Sequence, residues 1–144
     1  MELPRPTLPQ ARVMRVLHLA LTLGLTLCGV VFWIVHRAEP VPALVPAPIG
    51  VAITVAAIGA IVVAVTIVRP RVPTQAPDQT PDLYWADATV RMTALVLWAT
   101  VEGGGLLAAV GYLLTGATAS AIVLVIAIVT LATLGPRRFE QGDA

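Results

Sequence analysis

The chain has 144 residues, 58% of them hydrophobic and 12% charged, with a mean hydropathy of +0.89. Soluble domains carry about a quarter charged residues, so this composition excludes an ordinary water-soluble domain, and the length holds a single domain. A formal net charge of +1 without a basic run gives no footprint for nucleic acid, and one cysteine, Cys28, excludes an internal disulfide framework.

Proline divides the chain. The twelve prolines fall in the first nine residues, at positions 40–48, at 70–81 and at 136. Apolar segments of about 13–36, 49–68, 88–114 and 117–135 lie between them, the last two separated by the small-residue turn Thr115-Gly116-Ala117-Thr118. A helix needs roughly 20 apolar residues to cross hydrocarbon about 30 Å thick. Apolar/polar alternation of the kind barrel strands show is missing, so the sequence predicts an all-α integral membrane bundle of four transmembrane helices. The first span is too long for the apolar part of a signal peptide, and His36-Arg37-Ala38-Glu39 offers no small-residue cleavage site; we expect it to be retained.

Arginine sets the orientation. With four spans both termini share one side. Arg5, Arg12, Arg15, Arg69, Arg71, Arg91, Arg137 and Arg138 then fall together, with Arg37 alone opposite. The positive-inside rule places that side, and both termini, in the cytoplasm, as a multi-pass membrane protein. Tyr84 and Trp85 fall at the inner interface, and Phe32, Trp33 and Tyr112 near the outer one. Outside the spans lie a Pro-rich N-terminal tail, an outer loop of about 37–48, an inner loop of 69–86 and a short C-terminal tail. Proline spacing in the inner loop predicts an extended, poorly packed connector. Asp87 is placed to cap the third span and to pair with Arg91 in acid-first i,i+4 order.

Small residues recur every four positions. Ala52, Ala56, Ala60 and Ala64 mark the second span, with Gly59 beside them; Ala20, Gly24 and Cys28 mark the first; Thr100, Gly104 and Ala108 mark the third. Such spacing lets helix backbones approach closely where lipid offers no hydrophobic contrast, within the chain or against another subunit.

Glu102 is the one charged residue deep in a span, eleventh of the twenty-three residues from Met92 to Leu114. An acidic group at mid-bilayer costs roughly 2.5–3.5 kcal/mol on insertion scales and is a functional-site candidate by default, as an ion or proton site. A neutral carboxyl donating one hydrogen bond to a neighbouring helix is the structural alternative. Gly103, Gly104 and Gly105 follow it, and Gly24 and Gly59 fall at similar depth, so a waist of glycines around the carboxyl is expected. Thr22, Thr26 and Thr100 are placed to offer hydroxyls nearby.

His18 and His36 share a face of the first helix but lie about 27 Å apart at 1.5 Å per residue, so they cannot sandwich one haem. A single axial bond from His18 to a haem or chlorophyll is the one cofactor reading; no other cofactor and no metal site is predicted. Ser120 near the outer end and His18 near the inner end cannot form a dyad, and metalloprotease, hydrolase, P-loop and dinucleotide motifs are missing. The sequence argues against an enzyme.

Residues 12–35 align with 91–114 at an offset of 79, with identities at Arg12/Arg91, Ala20/Ala99, Gly24/Gly103, Leu27/Leu106 and Val31/Val110. Five identities in twenty-four positions are compatible with two tandem helical hairpins. Four helices, glycine-rich faces and a midplane Glu102 resemble the duplicated proteolipid c subunits of rotary ATPases, a resemblance that implies a ring and a proton or cation carried on Glu102. The carboxylate here is in the third helix rather than the second or fourth, and the arginines orient the chain oppositely. The stretch WATVEGGGLLAAVGYLLTG (98–116) with Pro136-Arg137-Arg138-Phe139-Glu140 also resembles small four-helix integral membrane proteins of bacteria. From the sequence we expect a non-catalytic accessory or stabilising subunit of a larger membrane complex, with a respiratory or photosynthetic assembly as a natural host. Its partners would be the lipid bilayer and other membrane subunits or a second copy of itself; the alternative is ion transport on Glu102.

Overall fold

In the computed structural model, residues 9–38 and 45–141 are described. The Pro-rich N-terminal tail up to residue 8 and most of the outer loop, with Arg5 and Glu39, lie outside the described residues. Six α-helices follow in order: α1 Gln10–Ala38, α2 Ala47–Val63, α3 Pro81–Ala86, α4 Ala88–Thr115, α5 Thr118–Thr133 and α6 Pro136–Glu140. Four helical stretches, Gln10–Ala38, Ala47–Arg71, Ala88–Thr115 and Thr118–Glu140, are long and apolar enough to cross a membrane. The chain is a multi-pass, all-helical membrane bundle.

Proline and glycine place the helix ends. α2 starts after Pro46 with Pro48 in its first turn, where a missing N–H costs nothing. At its far end Pro70 can give no N–H to the carbonyl one turn back. There the helix widens into a π turn, Ala64–Val68, with Arg69 N–H bonded to Ala64 O, before a 3-10 turn ends it at Arg71. Asp87 caps α4 as expected, its carboxylate accepting from Thr89 N–H at 2.7 Å. The pairing with Arg91 does not form. Arg91 instead donates to the carbonyls of Trp85 and Ala86 at the end of α3. Gly116 closes α4 in the left-handed conformation (φ 65°), the conformation such a helix stop requires.

α4 is the centre of the bundle. It packs against α5, α2 and α1, while α1 and α2 flank the α4–α5 pair and scarcely touch each other. The first two spans therefore do not form a hairpin, and the expected tandem-hairpin arrangement is replaced by one hairpin, α4–α5, with a helix on each flank. Gly104 and Gly105 make the close approaches. A Cβ on Gly104 would lie 3.1 Å from the Ala57 carbonyl oxygen, and one on Gly105 would lie 2.6 Å from Leu25. Leu25, Ala57, Leu97, Val101, Ala108 and Ala127 fill the space between.

The inner loop is irregular and mostly exposed over 73–80, as expected, but not throughout. Its last six residues fold into α3, started by Thr80 accepting from Leu83 N–H and by Pro81 in the first turn. Tyr84 and Trp85, expected at an interface, are 1% and 0% exposed. Pro136–Glu140 fold likewise into α6, with Phe139 buried.

Candidate functional site

Two places in the bundle carry polar groups of interest: the middle of α4 and the arginine-rich end.

Glu102 is half-buried near the middle of α4. Trp98, one turn earlier, meets His18 of α1, and Gly105, one turn later, meets Leu25 of α1. The carboxyl thus lies on the α1–α4 seam, beside the exposed α4 stripe of Ala99, Gly103 and Leu106. It makes no hydrogen bond or ion pair among the described residues. The hydroxyls expected to serve it are turned elsewhere. Thr22 donates to His18 O at 2.9 Å, Thr26 to Thr22 O at 2.7 Å and Thr100 to Val96 O at 2.6 Å, each on its own helix.

The glycine waist does not form. Gly24, Gly59 and Gly103 face outward, and a Cβ added to any of them would meet nothing within 4 Å. Gly104 and Gly105 alone of that group pack inward. The alanine stripe of α2 is split in the same way: Ala52 and Ala56 are exposed, Ala60 is half-buried against Gly104, and Ala64 is buried. Ala20 of α1 is exposed, and Ala108 of α4 is buried. Of the predicted packing residues, Ala60, Ala64, Gly104 and Ala108 join helices within the chain. Ala20, Gly24, Ala52, Ala56 and Gly59 are left on the outer faces.

His18 is a bolt between helices. Its Nε2 donates to Leu131 O of α5 at 2.8 Å, and its ring stands edge-on to Trp98 of α4 at 4.8 Å. Axial ligation, the cofactor reading, would be left to Nδ1. At the opposite end Ser120 pairs with Thr54, their hydroxyl oxygens 2.8 Å apart, and His36 packs against Tyr112.

The network that sequence reading missed lies at the arginine-rich end. Glu140 of α6, its side chain 7% exposed, accepts from Arg15 Nη2 at 2.6 Å, from Arg15 Nε at 3.3 Å and from Trp85 Nε1 at 2.9 Å. Asp82 of α3 accepts from Ala11 N–H at 3.0 Å and so caps α1, which has no acidic residue of its own in its first turn. Trp98 Nε1 donates to Leu134 O, and Tyr84 Oη donates to Pro73 O. Burial, reinforced by the negative charge of Glu140, pushes the Tyr84 phenol up to about 12. The Tyr84-Trp85 pair just ahead of α4 was the available signal, but its partners lie 11 and 55 residues away.

Beside this network is a cavity of about 420 Å³, walled by α1, the end of α5 and the start of α6. Among the described residues there are no groups of three or more metal-ligating side chains. No protein-family model matches the chain, and neither a curated protein nor a solved structure shows significant similarity to it.

Proposed function

We propose that this chain is a non-catalytic subunit that stabilises a larger assembly in a bacterial inner membrane, with both termini on the cytoplasmic side. The observation that carries the reading is Glu102: a carboxyl in the middle of a membrane helix, half-exposed, without a partner among the described residues. An interhelical hydrogen bond in a bilayer contributes about 1–2 kcal/mol in peptides, and a polar group left alone at that depth is costly. A helix from another subunit, seated along the α1–α4 seam over Gly103, relieves that cost by accepting from the neutral carboxyl. The outward Gly24, Ala52, Ala56 and Gly59 suit close approach of further helices. A respiratory or photosynthetic assembly remains the natural host.

Ion movement on Glu102 is the second reading, favoured by the same unpartnered carboxyl. Substitution separates the two. In the subunit reading, Glu102→Leu and Gly103→Leu release the chain from its complex in mild detergent while the isolated chain stays folded, and Glu102→Gln, which keeps a hydrogen-bonding amide, stays bound. An intact complex in Glu102→Leu would contradict the subunit reading. An intact complex with ion flux abolished in Glu102→Gln would assign the residue to transport.

A further inference from the structure

The cavity at the arginine-rich end has the make-up of a lipid site. Arg15, His18, Arg137 and Arg138 line it together with Leu19 and Ala132. Chain direction orders these residues by depth. From Arg15 to Leu19, α1 descends about 6 Å into the bundle, and α5 rises through Ala132 before the chain reaches Arg137 and Arg138. Guanidinium groups therefore stand at the mouth and aliphatic side chains along the deeper wall, where Leu19 is 56% exposed.

Of the three arginines at the mouth, two form no ion pair among the described residues and the third is only partly engaged. Glu140 is engaged by Arg15 and Trp85. Arg15 spends Nε and Nη2 on it, which leaves Nη1 without a partner among the described residues. Arg137 and Arg138 are exposed and form no ion pair among the described residues. The floor is Gly135, which lies against the His18 ring and leaves the room a side chain would fill. Arg15 lies near the start of the first span and Arg137 and Arg138 near the end of the last, the level of the membrane interface, where lipid phosphates lie.

We propose that this cavity binds the phosphodiester headgroup of an anionic phospholipid, held by Arg137, Arg138 and Nη1 of Arg15, with an acyl chain along Leu19 and Ala132. Arginine suits the task because its planar fork meets two phosphate oxygens at once, and basic pockets between membrane helices select anionic headgroups. The bound lipid ties α1 to the α5–α6 corner, the same joint that Arg15 and Glu140 close. The site stands independently of the subunit reading, since a lipid binds here whether or not a second protein docks on the α1–α4 seam.

Native mass spectrometry of the full chain in mild detergent tests it, with phosphatidylglycerol and phosphatidylcholine of identical acyl chains added in parallel. The expected result is one phosphatidylglycerol retained per chain, preferred over phosphatidylcholine by about tenfold or more. Arg137→Gln with Arg138→Gln abolishes the preference. Arg71→Gln at the same end and Arg37→Gln at the other leave it unchanged. Both substituted side chains are exposed, and the single Arg137→Gln reads the same loss at smaller size if the double variant unfolds. Equal retention of the two lipids, or an unchanged preference in the arginine variants, overturns the proposal. Displacement of the lipid by millimolar inorganic phosphate as effectively as by phosphatidylglycerol also overturns it, and assigns the cavity to free phosphate.

Discussion

The indole Nε1 of Trp85 donates to Glu140 Oε1 at 2.9 Å, across 55 residues of sequence. That bond joins the short helix before α4 to the short helix after α5, and Arg15 adds α1 to the same carboxylate. Three elements that would otherwise end loosely at the membrane surface are closed over the buried rings of Tyr84, Trp85 and Trp98.

Removing that carboxylate opens the joint. Glu140→Ala leaves the buried indole N–H and the Arg15 guanidinium unpaired, and a hydrogen bond to a charged group contributes about 1.5–3 kcal/mol. Unfolding of the detergent-solubilised chain should show a loss in that range. Arg15→Gln should cost less, about 0–1 kcal/mol, because the arginine side chain is 44% exposed. An unchanged melting curve for Glu140→Ala would show that the joint contributes nothing to stability.

Tyr84 gives the bundle an alkaline limit. Its phenol is raised from 10.0 to about 12 in the folded chain, so the folded state holds the proton more tightly than the unfolded state does. The resulting stability is complete below pH 10, declines as pH rises beyond it and is lost once pH passes about 12. Tyr84→Phe removes this term. Its melting temperature should start lower at neutral pH, for want of the bond to Pro73 O, and then change less than that of the parent chain between pH 10 and 12. Parallel alkaline profiles for the two proteins would contradict this.

The four spans were legible because proline and apolar length are local signals, and Asp87 and Gly116 mark helix ends by chemistry that acts over a few residues. The facing of the small-residue stripes was not legible. Four residues advance a helix by about 400°, so a strict four-residue repeat turns by about 40° at each step. From Ala52 to Ala64 the stripe rotates by about a third of a turn, and burial follows it: Ala52 and Ala56 outside, Ala60 at the edge, Ala64 inside. The internal similarity at an offset of 79 misleads for a related reason. Ala20, Gly24, Leu27 and Val31 of α1, and their counterparts Ala99, Gly103, Leu106 and Val110 of α4, are all exposed. The repeat reflects two outer faces rather than two equivalent hairpins. The bonds that Tyr84, Trp85 and Glu140 make were not legible because contacts this distant in sequence leave no periodic trace.

Two neighbouring glycines should respond in opposite directions. Gly103→Ala fills open space and removes a helix-weakening residue, so stability should be unchanged or rise by up to about 1 kcal/mol. Gly105→Ala drives a methyl against Leu25 and Ala127 and should cost about 1–3 kcal/mol. Equal responses would mean that α4 is rotated from the orientation described above.

The alanines of α2 divide in the same way. Ala57→Leu overpacks the buried α2–α4 contact and should destabilise the isolated chain, whereas Ala56→Leu, on the exposed face, should leave its unfolding unchanged. Comparable destabilisation by Ala56→Leu would place that face inside the bundle.

The subunit reading meets its most direct test in the mass of the particle that carries this chain when its native membrane is dissolved in mild detergent. Native mass spectrometry, with every co-purifying chain identified, should find it in a stoichiometric complex with other membrane subunits, and Glu102→Leu should release it. A bare monomer or a homo-oligomer, unaffected by Glu102→Leu, would contradict the account.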